Sequence, residues 1–169
     1  MKRLTQQVHE FKRYEGGCHC GAVHYSVDLD LIGSRKAICN CSRCEMLGFL
    51  HCHASTAEFK LESDESSVAE YRFGTGRARH LFCRTCGVES FYYSRSDPDL
   101  VDINLRCLRG VDIYSLDYWL IDGRNWERAQ GARREAEEDA RVPILWRLLA
   151  PRSRYANSRA GQAFFDSWH

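Results

Sequence analysis

The sequence predicts a mainly β fold. Three observations predict it: short runs of alternating or β-type residues, turn-forming clusters between them, and no long helical pattern ahead of residue 126. Residues 1–15 are polar and mixed, with Val8 and Phe11 as apolar anchors, and suit either a leading strand or a short helix. Gly16-Gly17 reads as a break before the first cysteines. From Ala22 to Leu29, Val23, Tyr25 and Val27 alternate with His24, Ser26 and Asp28, the period-two signature of a half-buried strand. Further β-type runs follow at Phe49 to His53, Glu58 to Leu61, Val68 to Phe73, His80 to Phe82, Glu89 to Tyr93 and Leu100 to Leu105. Clusters such as Ser63-Asp64-Glu65-Ser66, Gly74-Thr75-Gly76 and Ser96-Asp97-Pro98-Asp99 separate them. After Trp126 the character changes. Glu127 to Arg141 is rich in Ala, Glu and Arg and reads as a solvated helix, then Pro143 and Pro151 bracket the apolar run Ile144 to Leu149. The expected organisation is an arm over 1–13, a cysteine-bearing core domain over 14–126, and a helical or irregular extension over 127–169.

At 169 residues the chain suits one domain with an appendage. Its 24 basic and 23 acidic residues leave a net charge of +1, so no global field points to nucleic acid or acidic lipid. No run approaches the roughly 18 apolar residues of a membrane-spanning helix, and no apolar stretch follows the basic start. Neither a membrane partner nor a secretory signal is expected. The expected setting is a reducing one, cytoplasmic, or nuclear in a eukaryote, where nine cysteines do not form a disulfide framework. Metal binding is then the leading use of the cysteines.

Seven of them cluster: Cys18-His19-Cys20-Gly21, Cys39-Asn40-Cys41-Ser42-Arg43-Cys44, and Cys83-Arg84-Thr85-Cys86-Gly87. Zinc takes four ligands in a tetrahedron, from sulfurs presented by tight turns. A C-x-x-C followed by glycine turns two sulfurs toward one point. In a C-x-C, residues i and i+2 share a face of extended backbone. Seven sulfurs complete one tetrahedron and leave another one ligand short. The natural partition joins Cys18 and Cys20 to Cys83 and Cys86 as a closed structural zinc. The second zinc falls to Cys39, Cys41 and Cys44, with its fourth position open to water or substrate. A structural zinc contributes about 10–16 kcal/mol, against a net domain stability of about 5–15 kcal/mol, so its loss is expected to unfold the domain.

Other readings of the same residues stand beside this one. Cys83 and Cys86 alone would suit a redox dithiol, but no βαβ pattern surrounds them. The triplet would become a closed site if Cys52, His51 or His53 supplied a fourth ligand. Cys52 and Cys107 read as small buried hydrophobes, His19 as a loop residue, and His24 and His80 as strand-face residues without chemistry. Arg43 either attracts a substrate carboxylate or is simply solvated.

In order, Gly17-Cys18-His19-Cys20-Gly21, Cys39-Asn40-Cys41-Ser42-x-Cys44 and Phe82-Cys83-x-x-Cys86-Gly87 resemble the glutathione-dependent formaldehyde-activating enzyme family. Tyr71-Arg72-Phe73, His80-x-Phe82-Cys83, Ser90-Phe91-Tyr92, Arg106-Cys107-Leu108 and Asp122-Gly123-x-Asn125-Trp126 are similar to its centromere protein V-like branch. The resemblance covers roughly residues 14–128. It implies a zinc-stapled β-tent (Mss4-like) fold with a short helical C-terminal segment. It assigns Cys18, Cys20, Cys83 and Cys86 to the structural zinc, and Cys39, Cys41 and Cys44 to the catalytic one. It also implies a carbon–sulfur lyase that forms S-hydroxymethylglutathione from glutathione and formaldehyde.

The charge of the triplet agrees with such chemistry. A zinc held by three thiolates is formally −1, a weaker Lewis acid than one held by neutral histidines, and better suited to a soft sulfur than to hydroxide. The expected partners are a small thiol such as glutathione and an aldehyde. The residues single out no acid–base group. A non-catalytic zinc module binding chromatin or cytoskeleton, and a redox or metal sensor, are the rival classes. Nucleic-acid binding retained after mutation of Cys41 would favour the first, and rapid oxidation with zinc release the second.

Overall fold

The computed structural model describes residues 10–131 of the chain. The expected helix beyond 131, the apolar run Ile144 to Leu149, Val8 and the rest of the arm ahead of residue 10 lie outside the described residues. The chain divides into two compact units, Met1–Ile121 and Asp122–His169. In the second, backbone over 126–131 is helical, and Asp122 accepts from the Asn125 amide and from Arg128.

The first unit is built from strands β1 (Lys12–Gly17), β2 (His24–Leu29), β3 (Lys36–Cys39), β4 (Leu50–Ser55), β5 (Phe59–Leu61), β6 (Val68–Tyr71), β7 (Arg79–Cys83), β8 (Glu89–Tyr93), β9 (Leu100–Asn104) and β10 (Trp119–Ile121), with one α-helix, α1 (Ser42–Leu47). The mainly β expectation holds. Three strands form a small sheet in the order β1-β2-β5, and seven form a larger one in the order β10-β3-β4-β9-β8-β7-β6. Every neighbouring pair is antiparallel except β10 with β3.

Side chains alternate across a strand, and here that alternation sorts residues by role. Tyr25, Val27 and Leu29 of β2 meet Leu50, Cys52 and Ala54 of β4, Phe91 of β8, and Val101 and Ile103 of β9 in one core. Phe59 and Phe91 sit 4.8 Å apart, and Tyr25 stands edge-on to Phe91 at 5.7 Å, geometries that favour ring pairs. The intervening residues of the larger sheet point the other way: His51 and His53 of β4, His80 of β7, Tyr92 of β8 and Asp102 of β9. This second face is not solvated, since His51, His80 and Asp102 are all buried.

Gly16-Gly17 does not break the chain. Both glycines lie in β1, paired with Tyr25 and His24. A Cβ on Gly16 would stand 2.4 Å from Cζ of the Tyr25 ring. Gly16 is glycine because the Tyr25 ring packs against the backbone of β1, and a Cβ on Gly17 would stand 2.4 Å from the Val23 carbonyl oxygen. Among the described residues, no helix is long and apolar enough to cross a membrane.

Candidate functional site

Two cysteine sets converge. Cys18 and Cys20 lie on the loop from β1 to β2, Cys83 ends β7, and Cys86 lies in the turn to β8. Gly21 and Gly87, which follow these pairs, take left-handed φ of 83° and 75°, so the chain bends where the sequence anticipated. The Sγ atoms of Cys18 and Cys20 are 3.5 Å apart, and those of Cys20 and Cys83 3.6 Å. An ideal tetrahedron with Zn–S of about 2.3 Å has sulfur–sulfur edges of about 3.8 Å. With all four sulfurs within 4.8 Å of one another, the set could hold a zinc ion. Backbone N–H groups of Val23 and Thr85 donate to the sulfurs of Cys18 and Cys83, a contact that favours thiolates. The Cys86 thiol is pulled down to about 6 by backbone bonds from Val88 and Cys20.

The second set is Cys39, Cys41 and Cys44, whose sulfurs also lie within 4.8 Å of one another. Cys39 is the last residue of β3, Cys41 caps α1, and Cys44 lies in the helix and is buried. The Cys41 sulfur accepts the Cys44 backbone N–H at 3.4 Å, and the Cys39 sulfur accepts that of Cys41 at 3.5 Å. Hydrogen bonds from the Cys39 and Cys44 side chains pull the Cys41 thiol down to about 2. The Cys39 thiol, sharing its bond with Cys41, is pushed up to about 11. Cys44 rises too, through its contacts with Cys39 and Cys41 and through burial.

Among the described residues, no fourth His, Cys, Asp or Glu atom joins the three sulfurs within 4.8 Å. Cys52, one of the three residues considered as a closing ligand, is fully buried in the core instead. Burial pushes its thiol up to about 12. Cys107, half-buried, has its thiol 3.9 Å from the Glu89 carbonyl.

Arg43, inside the triplet loop, is held by the protein's own side chains rather than simply solvated. Its guanidinium is bonded to Glu89, which is itself buried, and lies 4.8 Å from the centre of the Tyr71 ring. Glu89 also accepts from Nδ1 of His80 at 2.8 Å. His80, expected to be idle on a strand face, is a buried partner of this network. Its ring stacks on Tyr92 at 4.8 Å and 13°, and Tyr92 meets Phe49 edge-on at 5.3 Å. Tyr92 also lies within electrostatic reach of Asp102, Cys44 and Cys39, and burial, first among the causes, drives its hydroxyl well above the ordinary value. Asp102 lies 3.1 Å from Nδ1 of His51 and 3.5 Å from Nε2 of His53. The residue spacing gave no signal for Asp102, Tyr92 or Glu89, because their partners lie on other strands.

The chain matches a family model described as "Glutathione-dependent formaldehyde-activating enzyme" over residues 13–115. It is also similar to the crystal structure of a Rhodobacter sphaeroides protein, at 33% sequence identity and a TM-score of 0.56, covering 62% of this chain and 98% of that one.

Proposed function

The chain belongs to the glutathione-dependent formaldehyde-activating enzyme family, and from that membership we propose that it is a zinc-dependent carbon–sulfur lyase. Its substrate in this reading is a thiol–aldehyde adduct, S-hydroxymethylglutathione from glutathione and formaldehyde or a close relative. The strings from Tyr71-Arg72-Phe73 to Asp122-Gly123-x-Asn125-Trp126 support its placement in the centromere protein V-like branch. Thiolate ligands persist in a reducing compartment, so we place the protein in the cytoplasm.

The observation that carries the reading is the inequality of the two cysteine sets, four sulfurs against three. Cys18, Cys20, Cys83 and Cys86 would hold a structural zinc joining the β1–β2 loop of the small sheet to the β7–β8 turn of the larger one. Cys39, Cys41 and Cys44 would hold a second, with room for one more ligand. Bound there, zinc would supply affinity for a soft sulfur and a lowered pKa for a thiol brought to it.

The protein's own contribution is positional and electrostatic. β3 and α1 fix three sulfurs on one side, and the Cys41 and Cys44 N–H groups temper their negative charge. Phe49, whose backbone N–H bonds the Cys44 carbonyl, packs edge-on against Tyr92 beyond the helix. Thiol and aldehyde held together react as one molecule, a large share of the rate gain open to such a site. The net change is one C–S bond formed and one proton moved from sulfur to the carbonyl oxygen, and the lyase direction is its reverse.

The test compares one variant in each set. The wild type is expected to carry about two zinc ions per chain, one of them readily chelated. Cys41→Ser should keep its fold, lose that ion, and lose C–S bond formation across a thiol and aldehyde panel by at least roughly 100-fold. Cys83→Ser should fail to fold. Full zinc and full turnover in Cys41→Ser would overturn the reading. A catalytically silent wild type that binds nucleic acid or a protein partner would favour the interaction module instead.

A further inference from the structure

The second face of the larger sheet carries a buried arrangement that the metal sites leave unexplained. Asp102 is 1% exposed and faces Nδ1 of His51 at 3.1 Å. A carboxylate only accepts, so the proton of the neutral His51 ring sits on Nδ1 and Nε2 keeps its lone pair. That Nε2 is buried and has no hydrogen-bond partner, in a side chain 3% exposed. A buried polar atom left unpaired is destabilising, and such atoms call for a chemical explanation. The surroundings supply one. The His51 ring lies 4.6 Å from Phe49, whose backbone N–H donates to the Cys44 carbonyl at 3.0 Å. On another side it meets Tyr92 edge-on at 5.8 Å, and the Tyr92 hydroxyl is 3.5 Å from Nδ1. The titratable groups around His51 are thus Asp102 of β9, His53 beside it on β4, and Tyr92 of β8, which feels the charges of Cys39 and Cys44.

We infer that His51 is the general base for the thiol substrate at the Cys39–Cys41–Cys44 set, with Asp102 as its positioning residue. The inference rests on the thiol–aldehyde reading above. The S–H bond breaks and its proton passes to Nε2, directly or through one water. The sulfur electron pair forms the S–C bond to the aldehyde carbon, the C=O π pair moves to oxygen, and that oxygen takes the proton back from Nε2. His51 ends neutral, no electrons are gained or lost, and Asp102 balances the imidazolium while it exists. His80 has a different part, since its carboxylate, Glu89, also anchors Arg43.

The test is calorimetric titration of zinc-loaded protein with glutathione near pH 7, in buffers of different ionisation enthalpy, which counts protons released to solvent. Glutathione enters mostly as the protonated thiol, given an ordinary thiol pKa of about 8.5. Wild type should bind it with almost no proton released, because Nε2 retains the proton. His51→Gln should still bind zinc but release close to one proton, with turnover lowered on the order of 100- to 1,000-fold. Asp102→Asn, which favours the wrong tautomer, should shift the count the same way. Release of a full proton by wild type overturns the assignment, as does an unchanged count in a folded, zinc-loaded His51→Gln. Failure of wild type to bind glutathione at all sinks the thiol reading, and this inference with it.

Discussion

The Cys41 thiol is pulled down by hydrogen bonds with the Cys39 and Cys44 side chains and by the Cys44 backbone N–H. Those two thiols are raised by the same exchange. A raised thiol keeps its proton at neutral pH, and a metal ion entering the triplet must expel it. Acid therefore opposes binding and alkali favours it. Zinc affinity at this set should rise about 100-fold per pH unit across roughly pH 6–8, the slope for two displaced protons. Chelator competition on the wild type, read against Cys41→Ser to isolate the triplet, measures that slope, and a pH-independent affinity would contradict it. The cysteines were legible in the sequence because their grouping is local: one or two residues separate ligands on the same turn. His51 and Asp102 stand 51 residues apart, and no spacing rule connects them. The sequence put His51 forward only as a closing ligand for the triplet.

At the scale of elements, β2 and β8 could be read from alternation and β-type residues, and they form within two residues of the expected bounds. β3 and β10 escaped. They have four and three residues, too short for a period to declare itself, and the buried side chain of Lys36 opens the first of them. α1 escaped for the same reason, with six residues, Cys41 as its cap and Cys44 inside it. Alternation also misled in one respect. It identifies a core face and implies that the other is wet, whereas the opposite face of the larger sheet buries His51, His80 and Asp102. The paired glycines of β1 were read as a break because contact with Tyr25 leaves no mark in composition. Gly16→Ala puts a methyl into the Tyr25 ring, a small-to-large change expected to destabilise by about 1–3 kcal/mol. Thermal unfolding should show a midpoint lowered by several degrees, and an unchanged midpoint would mean that the two strands can separate without penalty.

For the whole molecule, the mainly β class followed from the run of short strands, but the division into two sheets did not. Which strands share a sheet depends on pairings such as β4 with β9, some fifty residues apart, and sequence patterns do not encode partner choice. The parallel pair of β10 with β3 is the least legible of these, and it bears directly on the triplet. Trp119–Ile121 lies alongside Ala37–Cys39, and the Ile121 carbonyl accepts from Asn40 between two of the ligands. The family match ends at residue 115, before that strand begins. A chain shortened to the boundaries of its family would therefore expose one flank of the very ribbon that carries Cys39. Such a truncation should retain the ion nearest Cys83 and surrender the other, so zinc counted after mild chelation would fall from about two to about one. The outermost strand, though it donates no ligand, would then be what keeps the reactive metal in place.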